Sequence, residues 1–214
     1  ADGQPTVLFG DGGVGKSLVA EIMILCVGLP YDDLKGWNPT YGRSLYLDYE
    51  TDEETVTRRF RHLCKGLDLP NSFPLDYRFC YRALYDDTDS LQEIITERNI
   101  RFVVIDSIGV ACGGEPESAE NTIKLFTAVR SLKVSALLID HVSKHGTDNK
   151  PFGSVYKYNI ARSVWEARRT QETGDKEIAI ALYHRKNNLG PLYDAMGLKL
   201  EFDQDSIHPR VMDV

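Results

Sequence analysis

The sequence of 214 residues predicts an α/β domain, in which a mostly parallel, twisted sheet is flanked by helices and extended by antiparallel strands near the C-terminus. Short apolar runs alternate with segments of helical periodicity as far as residue 140, which is typical of a parallel sheet. Two of these runs, Phe102–Asp106 and Ala136–Asp140, are aliphatic or aromatic up to their final aspartate, as strands buried on both faces are. No helical pattern separates the last three predicted strands, which favours antiparallel pairing there.

Four elements are predicted in the first 65 residues. A strand at Thr6–Phe9 leads through a glycine-rich turn into a helix that includes Leu18–Leu25. Arg43–Asp48 is rich in aromatic and aliphatic residues, which favours a second strand. Thr51–Glu54 has the capping-box pattern and predicts that a helix opens there and runs to about Lys65.

The remaining elements follow from the same periodicities. They are a strand at Tyr77–Tyr81, a helix at Ser90–Arg98, the strand Phe102–Asp106, a loop at Ile108–Glu117, a helix at Ala119–Leu132, the strand Ala136–Asp140, and three strands at Arg162–Thr170, Glu177–Arg185 and Leu198–Phe202. We expect residues 1–214 to form one domain. Only five residues precede the first strand, so the sequence leaves open whether further residues precede it in the full protein.

Composition places the protein among soluble globular proteins, and we expect it to be cytoplasmic. The fractions of 42% hydrophobic and 27% charged residues are ordinary for that class. No apolar run approaches the roughly 18 residues of a membrane-spanning helix, and Ala1–Pro5 shows no leader pattern, so we expect no membrane association. The four cysteines are widely and unevenly spaced, which indicates reduced thiols rather than a local zinc site.

The charge is unevenly distributed. The net charge of −7 argues against a surface that coats nucleic acid without selectivity. Residues 141–190, however, carry nine Lys or Arg against five Asp or Glu. From charge alone, a solvated face and a surface that binds a polyanion are equally good interpretations of this segment.

The glycine-rich turn has the spacing G-x-x-x-x-G-K-S over Gly10–Ser17, between a predicted strand and a predicted helix. Glycines let the backbone wrap closely around a phosphate, with successive N–H groups and the helix N-terminus directed at the anion. The motif predicts a nucleoside triphosphate site, with Lys16 on the β and γ phosphates and Ser17 on Mg²⁺. The residues expected to bind the nucleotide are Gly10, Asp11, Gly12, Gly13, Val14, Gly15, Lys16, Ser17 and Leu18.

Acidic residues end two of the predicted strands. Asp106 ends an apolar strand, where an acid in P-loop proteins orients Mg²⁺ and its waters, so we assign it to the metal. Glu50 is the last residue of the segment Leu45–Glu50. If the bound nucleotide is hydrolysed, Glu50 is the candidate that activates the attacking water, and Asp48, two residues earlier, is the alternative candidate. Either acid could instead serve the N-terminus of the following helix.

His141 follows the strand Ala136–Asp140. A polar side chain there can contact the γ-phosphate and report hydrolysis to the loop beyond it. A histidine satisfied at the edge of the core is an equally good interpretation.

Five segments resemble motifs of the RecA-type ATPases, in the order in which that family has them. Leu45–Glu50 is similar to the strand that ends in the catalytic glutamate, and Val103–Ser107 to the Walker B strand. Leu138–Lys144 resembles the sensor strand of the RepA-like (AAA_25-type) hexameric helicase branch. Gly153–Ser154, together with Ala161–Trp165, resembles the segment that follows the mobile loop of hexameric helicases. His184–Pro191 is similar to the basic segment that reaches the ATP of a neighbouring subunit in such rings.

The resemblance implies a RecA-like P-loop core with ATP and Mg²⁺ as cofactors. It also implies that several copies, for example six, form a ring that acts on single-stranded DNA. ATP would lie between subunits, with Lys16, Glu50 and His141 of one subunit and Arg185 or Lys186 of the next at the reacting phosphate. An exposed basic pair at a strand end is the alternative interpretation of the last two residues.

Two other functions are compatible with the motifs. A nucleotide-dependent switch or scaffold, as in KaiC-like relatives, is favoured by the acidic net charge. The short segment Ser143–Phe152, which offers only Lys144, His145 and Lys150 as positively chargeable groups, also provides little surface to track a DNA strand. A P-loop kinase of small molecules would need an arginine-rich lid and an acceptor pocket, and neither can be assigned.

Overall fold

A computed structural model describes residues 4–29, 39–70, 75–115, 118–142, 155–171 and 174–214, and every structural statement below concerns these residues. The described strands are β1 (Pro5–Gly10), β2 (Arg43–Asp48), β3 (Leu75–Phe79), β4 (Ile100–Asp106), β5 (Ser135–His141), β6 (Ser163–Thr170), β7 (Glu177–Asn187), β8 (Met196–Phe202) and β9 (Ile207–Met212). The described α-helices are α1 (Lys16–Gly28), α2 (Glu53–Gly66), α3 (Thr88–Glu97), α4 (Ile108–Ala111), α5 (Ala119–Ser131) and α6 (Val155–Ile160).

The strands form one sheet in the order β3-β2-β4-β5-β1-β6-β7-β8-β9. The pairs from β3 to β6 are parallel, and the pairs from β6 to β9 are antiparallel. This confirms the predicted α/β fold with a mostly parallel sheet and a C-terminal antiparallel extension. We call the edge at which β1, β2, β4 and β5 end the carboxyl edge, and the edge at which they begin the amino edge.

Helices cover both faces of the parallel strands. On one face α1 and α2 bury aliphatic and aromatic side chains such as Val19, Ile22 and Phe60 against the sheet. On the other face α3, α4 and α5 pack residues such as Leu91 and Phe126. Because both faces are covered, the central strands read as continuous apolar runs in the sequence.

The helix that follows β2 starts one residue later than the capping-box pattern predicts. Asp52 is the N-cap, and its side chain accepts a hydrogen bond from the N–H of Thr55. Thr51 instead donates its hydroxyl hydrogen to Oδ2 of Asp48. The competing acceptor on the preceding strand therefore draws Thr51 away from the cap.

Four elements correct the sequence prediction. The predicted loop at Ile108–Glu117 begins with the short helix α4, whose Ile108 and Ala111 are fully buried. Helix α6 and strand β9 were not predicted, because α6 is short and β9 contains Pro209. Strand β3 lies at Leu75–Phe79, two residues earlier than predicted.

The four cysteines are free and buried, and their reduced state stays a prediction. No helix within the described ranges is long and apolar enough to cross a membrane. The predicted Gly153–Ser154 segment and the basic residues Lys144, His145 and Lys150 lie outside the described residues.

Candidate active site

The turn between β1 and α1 is shaped to receive an anion. Gly13 and Gly15 have φ angles of 75° and 100°, a region that residues with a Cβ rarely adopt. Helix α1 begins directly after Gly15, without a side-chain cap or an acidic residue in its first turn. Its first N–H groups and its positive end are therefore available to a phosphate. The nine residues predicted to bind the nucleotide lie together in this turn and the start of α1: Gly10, Asp11, Gly12, Gly13, Val14, Gly15, Lys16, Ser17 and Leu18.

The ammonium group of Lys16 lies inside this turn. Its Nζ donates hydrogen bonds to the carbonyl oxygens of Gly10 at 2.9 Å and Asp11 at 2.8 Å. Burial lowers the pKa of Lys16, while nearby carboxylates, Asp106 foremost, act in the opposite direction. The lysine is thus a buried cation on two carbonyl groups that a phosphate can replace.

Asp106 contacts Ser17 at the carboxyl edge; both residues are predicted metal ligands. Oδ2 of Asp106 accepts hydrogen bonds from Ser17 Oγ and from the Tyr46 hydroxyl, both at 2.6 Å. Burial raises the pKa of Asp106, and the two hydrogen bonds oppose this shift. Tyr46 was not among the predicted site residues, because its contact with Asp106 depends on the pairing of β2 with β4.

The oxygens of Ser17 and Asp106 suit Mg²⁺ bound next to a nucleotide. Mg²⁺ is usually held by one or two protein groups, with waters and substrate phosphates completing its octahedron. In the described part of the chain, no group of three or more His, Cys, Asp or Glu residues could hold a metal by itself. The available donors therefore fit a cation that is shared with phosphate rather than one enclosed by protein.

Glu50 meets His141 and Ser107 at the same edge. Its Oε1 accepts a short hydrogen bond from Ser107 Oγ and lies 3.6 Å from Nε2 of His141. These contacts lower the pKa of Glu50, the one with His141 most strongly, although burial opposes them. The Glu50 side chain is 37% exposed, so its carboxyl group is open to water. A group of this kind can orient a water molecule or accept its proton.

Asp48 is engaged entirely by its own chain. Its Oδ1 accepts the backbone N–H groups of Glu50 and Thr51, and its Oδ2 accepts the hydroxyl groups of Thr51 and Tyr77, at 2.7–3.0 Å. The residue is 1% exposed. Asp48 therefore fixes the backbone that carries Glu50, and its oxygens have little remaining capacity for a water molecule.

Arg185 and Lys186 lie away from the P-loop. They are near the end of β7, and because β7 is antiparallel to β6, Lys186 pairs with Val164 toward the amino edge. Arg185 forms an ion pair with the buried Glu166, with 2.7 Å between Nε and Oε2, and its side chain is 36% exposed. The structure does not bring this residue to the P-loop of its own chain.

Lys186 is bound to helix α6. Its Nζ donates hydrogen bonds to the carbonyl oxygens of Tyr158, Asn159 and Ala161 at 2.7–2.8 Å. These are carbonyl groups at the C-terminal end of the helix, which have no partner within it. Lys186 is therefore bound to three carbonyl groups of its own chain, whereas the side chain of Arg185 is 36% exposed.

Arg169 contacts the P-loop, which the sequence did not predict. Its Nη1 donates a hydrogen bond to the carbonyl oxygen of Gly13 at 2.7 Å, and it also contacts Gln171. Strand β6 pairs with β1, which brings the end of β6 beside the P-loop. The basic pair Arg168–Arg169 is visible in the sequence, but its position depends on this non-local pairing.

Comparisons with known proteins identify the family and the fold. A family model named AAA_25, described as an AAA domain, matches residues 1–147. Among solved structures, the KaiC-like protein PH0186 of the hyperthermophilic archaeon Pyrococcus horikoshii OT3 has a similar fold, with a TM-score of 0.67 and 16% identity over 99% of this chain and 90% of that one. Curated protein sequences give no match. Since the family model covers more than half of the chain and includes the P-loop, Glu50 and Asp106, the protein belongs to the AAA_25 family and is a P-loop ATPase of the RecA fold.

Proposed function

We propose that the protein is a Mg²⁺-dependent ATPase motor that assembles into a ring and acts on single-stranded DNA. The observation that carries the proposal is the position of Glu50. Its ionised carboxylate contacts Ser107 and His141 at the edge of the sheet where the P-loop and Asp106 also lie. A phosphate-binding loop, a metal acid and a carboxylate open to water are the groups that ATP hydrolysis requires.

Lys16 and Ser17 receive the triphosphate in this proposal. The ammonium of Lys16 exchanges the carbonyl oxygens of Gly10 and Asp11 for phosphate oxygens, and the N–H groups of the turn bind the same phosphates. Ser17 and Asp106 would hold Mg²⁺, and the bound cation would neutralise charge that develops on the phosphates. Arg169 acts indirectly, since it holds the carbonyl of Gly13 and thus the shape of the turn.

Glu50 activates the water that attacks the γ-phosphorus. Its carboxylate orients the water and accepts a proton as the new P–O bond forms and the bond to ADP breaks. His141 and Ser107 hold the carboxylate in place through their contacts with Oε1. His141 also directly precedes the segment after β5, so it can report the state of the site to that segment.

Arg185 completes the site of a neighbouring subunit. Strand register places it near Val164 and Trp165, which pair with the middle of β1, and its side chain is partly exposed. An arginine supplied in trans stabilises the transition-state charge of phosphoryl transfer. Between the two candidates we assign this role to Arg185, because Lys186 is bound to three carbonyl groups of its own chain.

The test is ATP hydrolysis measured with and without a single-stranded oligonucleotide, over a range of protein concentrations. We expect stimulation by DNA that rises with concentration, because the site is shared between subunits. Glu50→Gln should lower the rate by roughly 10²–10⁴-fold, the usual contribution of a general base. Glu54→Gln, an exposed acid four residues away, is the matched control and should leave the rate unchanged.

Each result separates the alternatives. Hydrolysis that ignores DNA at every concentration would contradict the motor and support a nucleotide-dependent switch that controls protein assembly. The acidic net charge of −7 favours that second candidate. A fully active Glu50→Gln variant would remove Glu50 from the mechanism, and Asp48 would be tested next.

A further inference from the structure

Two tyrosines repeat the same contact on neighbouring strands. Tyr46 on β2 donates its hydroxyl hydrogen to Asp106, which ends β4, at 2.6 Å. Tyr77 on β3 donates to Asp48, which ends β2, at 2.9 Å. In strand register Tyr46 is opposite Val104 and Tyr77 is opposite Tyr46, so each tyrosine reaches an aspartate two residues further along the adjacent strand.

The two pairs differ in what their aspartates hold. Asp106 contacts Ser17, so it belongs to the candidate metal site. Asp48 holds the backbone of Glu50 and Thr51. The same tyrosine–aspartate contact thus occurs once at the metal ligands and once behind the loop that carries the general base.

We propose that Tyr46 is a positioning residue for the Mg²⁺ site, because its hydroxyl group orients the carboxylate of Asp106 that would bind the ion. Tyr46 and Ser17 both donate to Oδ2 of Asp106, and this fixes the rotation of the carboxylate before a metal arrives. The tyrosine is fully buried and its ring stacks on Tyr77, with centroids 6.4 Å apart, so the hydroxyl has a fixed position. Groups that orient metal ligands typically contribute about 10–100-fold to metal affinity.

This inference rests on the proposed Mg²⁺-dependent nucleotide site. It adds a residue outside the P-loop and the two strand-end acids, and it assigns a function to a tyrosine that otherwise reads as part of the core. Since the whole hydroxyl group is buried, a water molecule from bulk solvent cannot replace it without a cavity.

The experiment measures the Mg²⁺ dependence of nucleotide binding rather than activity. A fluorescent, non-hydrolysable ATP analogue, mant-AMPPNP, is held at fixed concentration while MgCl₂ is titrated from an EDTA baseline. In Tyr46→Phe we expect the half-saturating Mg²⁺ concentration to rise about tenfold, with binding in EDTA unchanged, because the P-loop is intact. Thermal denaturation of each variant verifies that the fold is retained.

Tyr77→Phe is the matched control. It removes a tyrosine–aspartate hydrogen bond of the same kind from the adjacent strand and should leave the Mg²⁺ dependence unchanged. An equal shift in both variants would mean general loosening of the sheet edge and would overturn the proposal. An unchanged Mg²⁺ dependence in Tyr46→Phe would overturn it directly.

A double-mutant cycle tests whether Tyr46 acts through Asp106. In an Asp106→Asn background, Tyr46→Phe should cause no further change in the Mg²⁺ dependence, since interacting groups are not additive. Additive shifts would overturn the positioning role. If the wild-type protein bound the analogue equally well in EDTA and MgCl₂, the proposed Mg²⁺-dependent site itself would fail, a result distinct from the failure of Tyr46→Phe.

Discussion

The two edges of the sheet differ in how their charged groups are arranged. At the carboxyl edge, Lys16, Asp106 and Glu50 come from three segments and meet within one chain, close enough to affect each other's pKa. Toward the amino edge, Arg185 and Lys186 are bound to groups of their own chain, the carboxylate of Glu166 and the carbonyl oxygens at the end of α6. One edge therefore brings together the groups of the candidate ATPase site, whereas the role in a neighbouring subunit that we propose for Arg185 at the other edge stays a prediction.

The largest effect on ATP hydrolysis is expected from two variants, one that removes Arg185 toward the amino edge and one that removes the Glu50 carboxylate at the carboxyl edge. Arg185→Ala should lower hydrolysis by about 10³-fold or more, the range measured for arginines supplied in trans. Mixing it with Glu50→Gln should restore about one quarter of wild-type activity, because random assembly pairs an intact P-loop side with an intact Arg185 at that fraction of interfaces. The measurement is ATP hydrolysis by the two variants alone and in equimolar mixture.

Arg168→Ala is the control for this mixing experiment. Arg168 also pairs with Glu166, with 2.8 Å between Nε and Oε1, so the variant loses a comparable ion pair. We expect it to hydrolyse ATP at nearly the wild-type rate. Failure of the mixture to recover any activity would mean that both edges act within one chain, and the contrast between them would not hold.

A buried ion pair connects the two edges. Lys157 on α6 lies 3.1 Å from Asp140, at the end of β5, and neither side chain is exposed by more than 2%. Lys157→Met should lower the free energy of unfolding by about 3–5 kcal/mol, because it leaves a buried carboxylate without its cation. Denaturant unfolding measures this loss. Lys157→Met combined with Asp140→Asn should recover most of it; equal losses in the single and double variants would contradict the pairing.

The parts of the fold that are local in sequence could be predicted. The P-loop and the buried strands are defined by glycine spacing and by runs of aliphatic residues, which require no knowledge of strand order. The candidate general base, Glu50, and the candidate metal ligand, Asp106, could be predicted because both lie at strand ends, and parallel strands bring such ends together. The structure confirms that Glu50 and Asp106 share one edge, while their chemical roles stay predictions.

The remainder depends on pairings between distant segments. Tyr46 contacts Asp106 only because β2 is next to β4, and Arg169 reaches Gly13 only because β6 is next to β1. Helix α6 is a short element whose position is set by non-local contacts, such as the bond from Lys157 to Asp140. No periodicity within a single segment encodes these neighbours, so sequence patterns could not identify them.

A second buried pair lies beneath the carboxyl edge. Glu21 on α1 is fully buried, and its Oε1 is 2.7 Å from Nε of Arg59 on α2. Burial raises the pKa of Glu21 to about 8; the charge of Arg59 lowers it, and Asp106 and Asp48 raise it slightly. The folded protein therefore binds more protons than the unfolded chain between about pH 5 and 8.

This shift predicts that the protein loses stability as the pH rises through that window. The unfolding free energy should fall by roughly 2–4 kcal/mol between pH 5 and 8, since a raised carboxyl pKa favours the folded state only while the group is protonated. Glu21→Gln cannot titrate and should show a flatter profile in denaturant unfolding at several pH values. Glu93→Gln, which changes a carboxyl group away from this pair, should keep the wild-type slope. A parallel slope in Glu21→Gln would assign the pH dependence to other groups.

The smallest effect separates the two basic residues at the end of β7. Lys186→Met removes the donor for three carbonyl groups of α6, which should lower the unfolding free energy by about 1–2 kcal/mol. Lys124→Met, which breaks an exposed pair with Glu120, is the control and should cost less than about 0.5 kcal/mol. Because α6 still packs on the sheet, ATP hydrolysis by Lys186→Met should fall less than about tenfold, far less than in Arg185→Ala. A loss as large as that of Arg185→Ala, with stability unchanged, would instead make Lys186 the residue that acts on the neighbouring subunit.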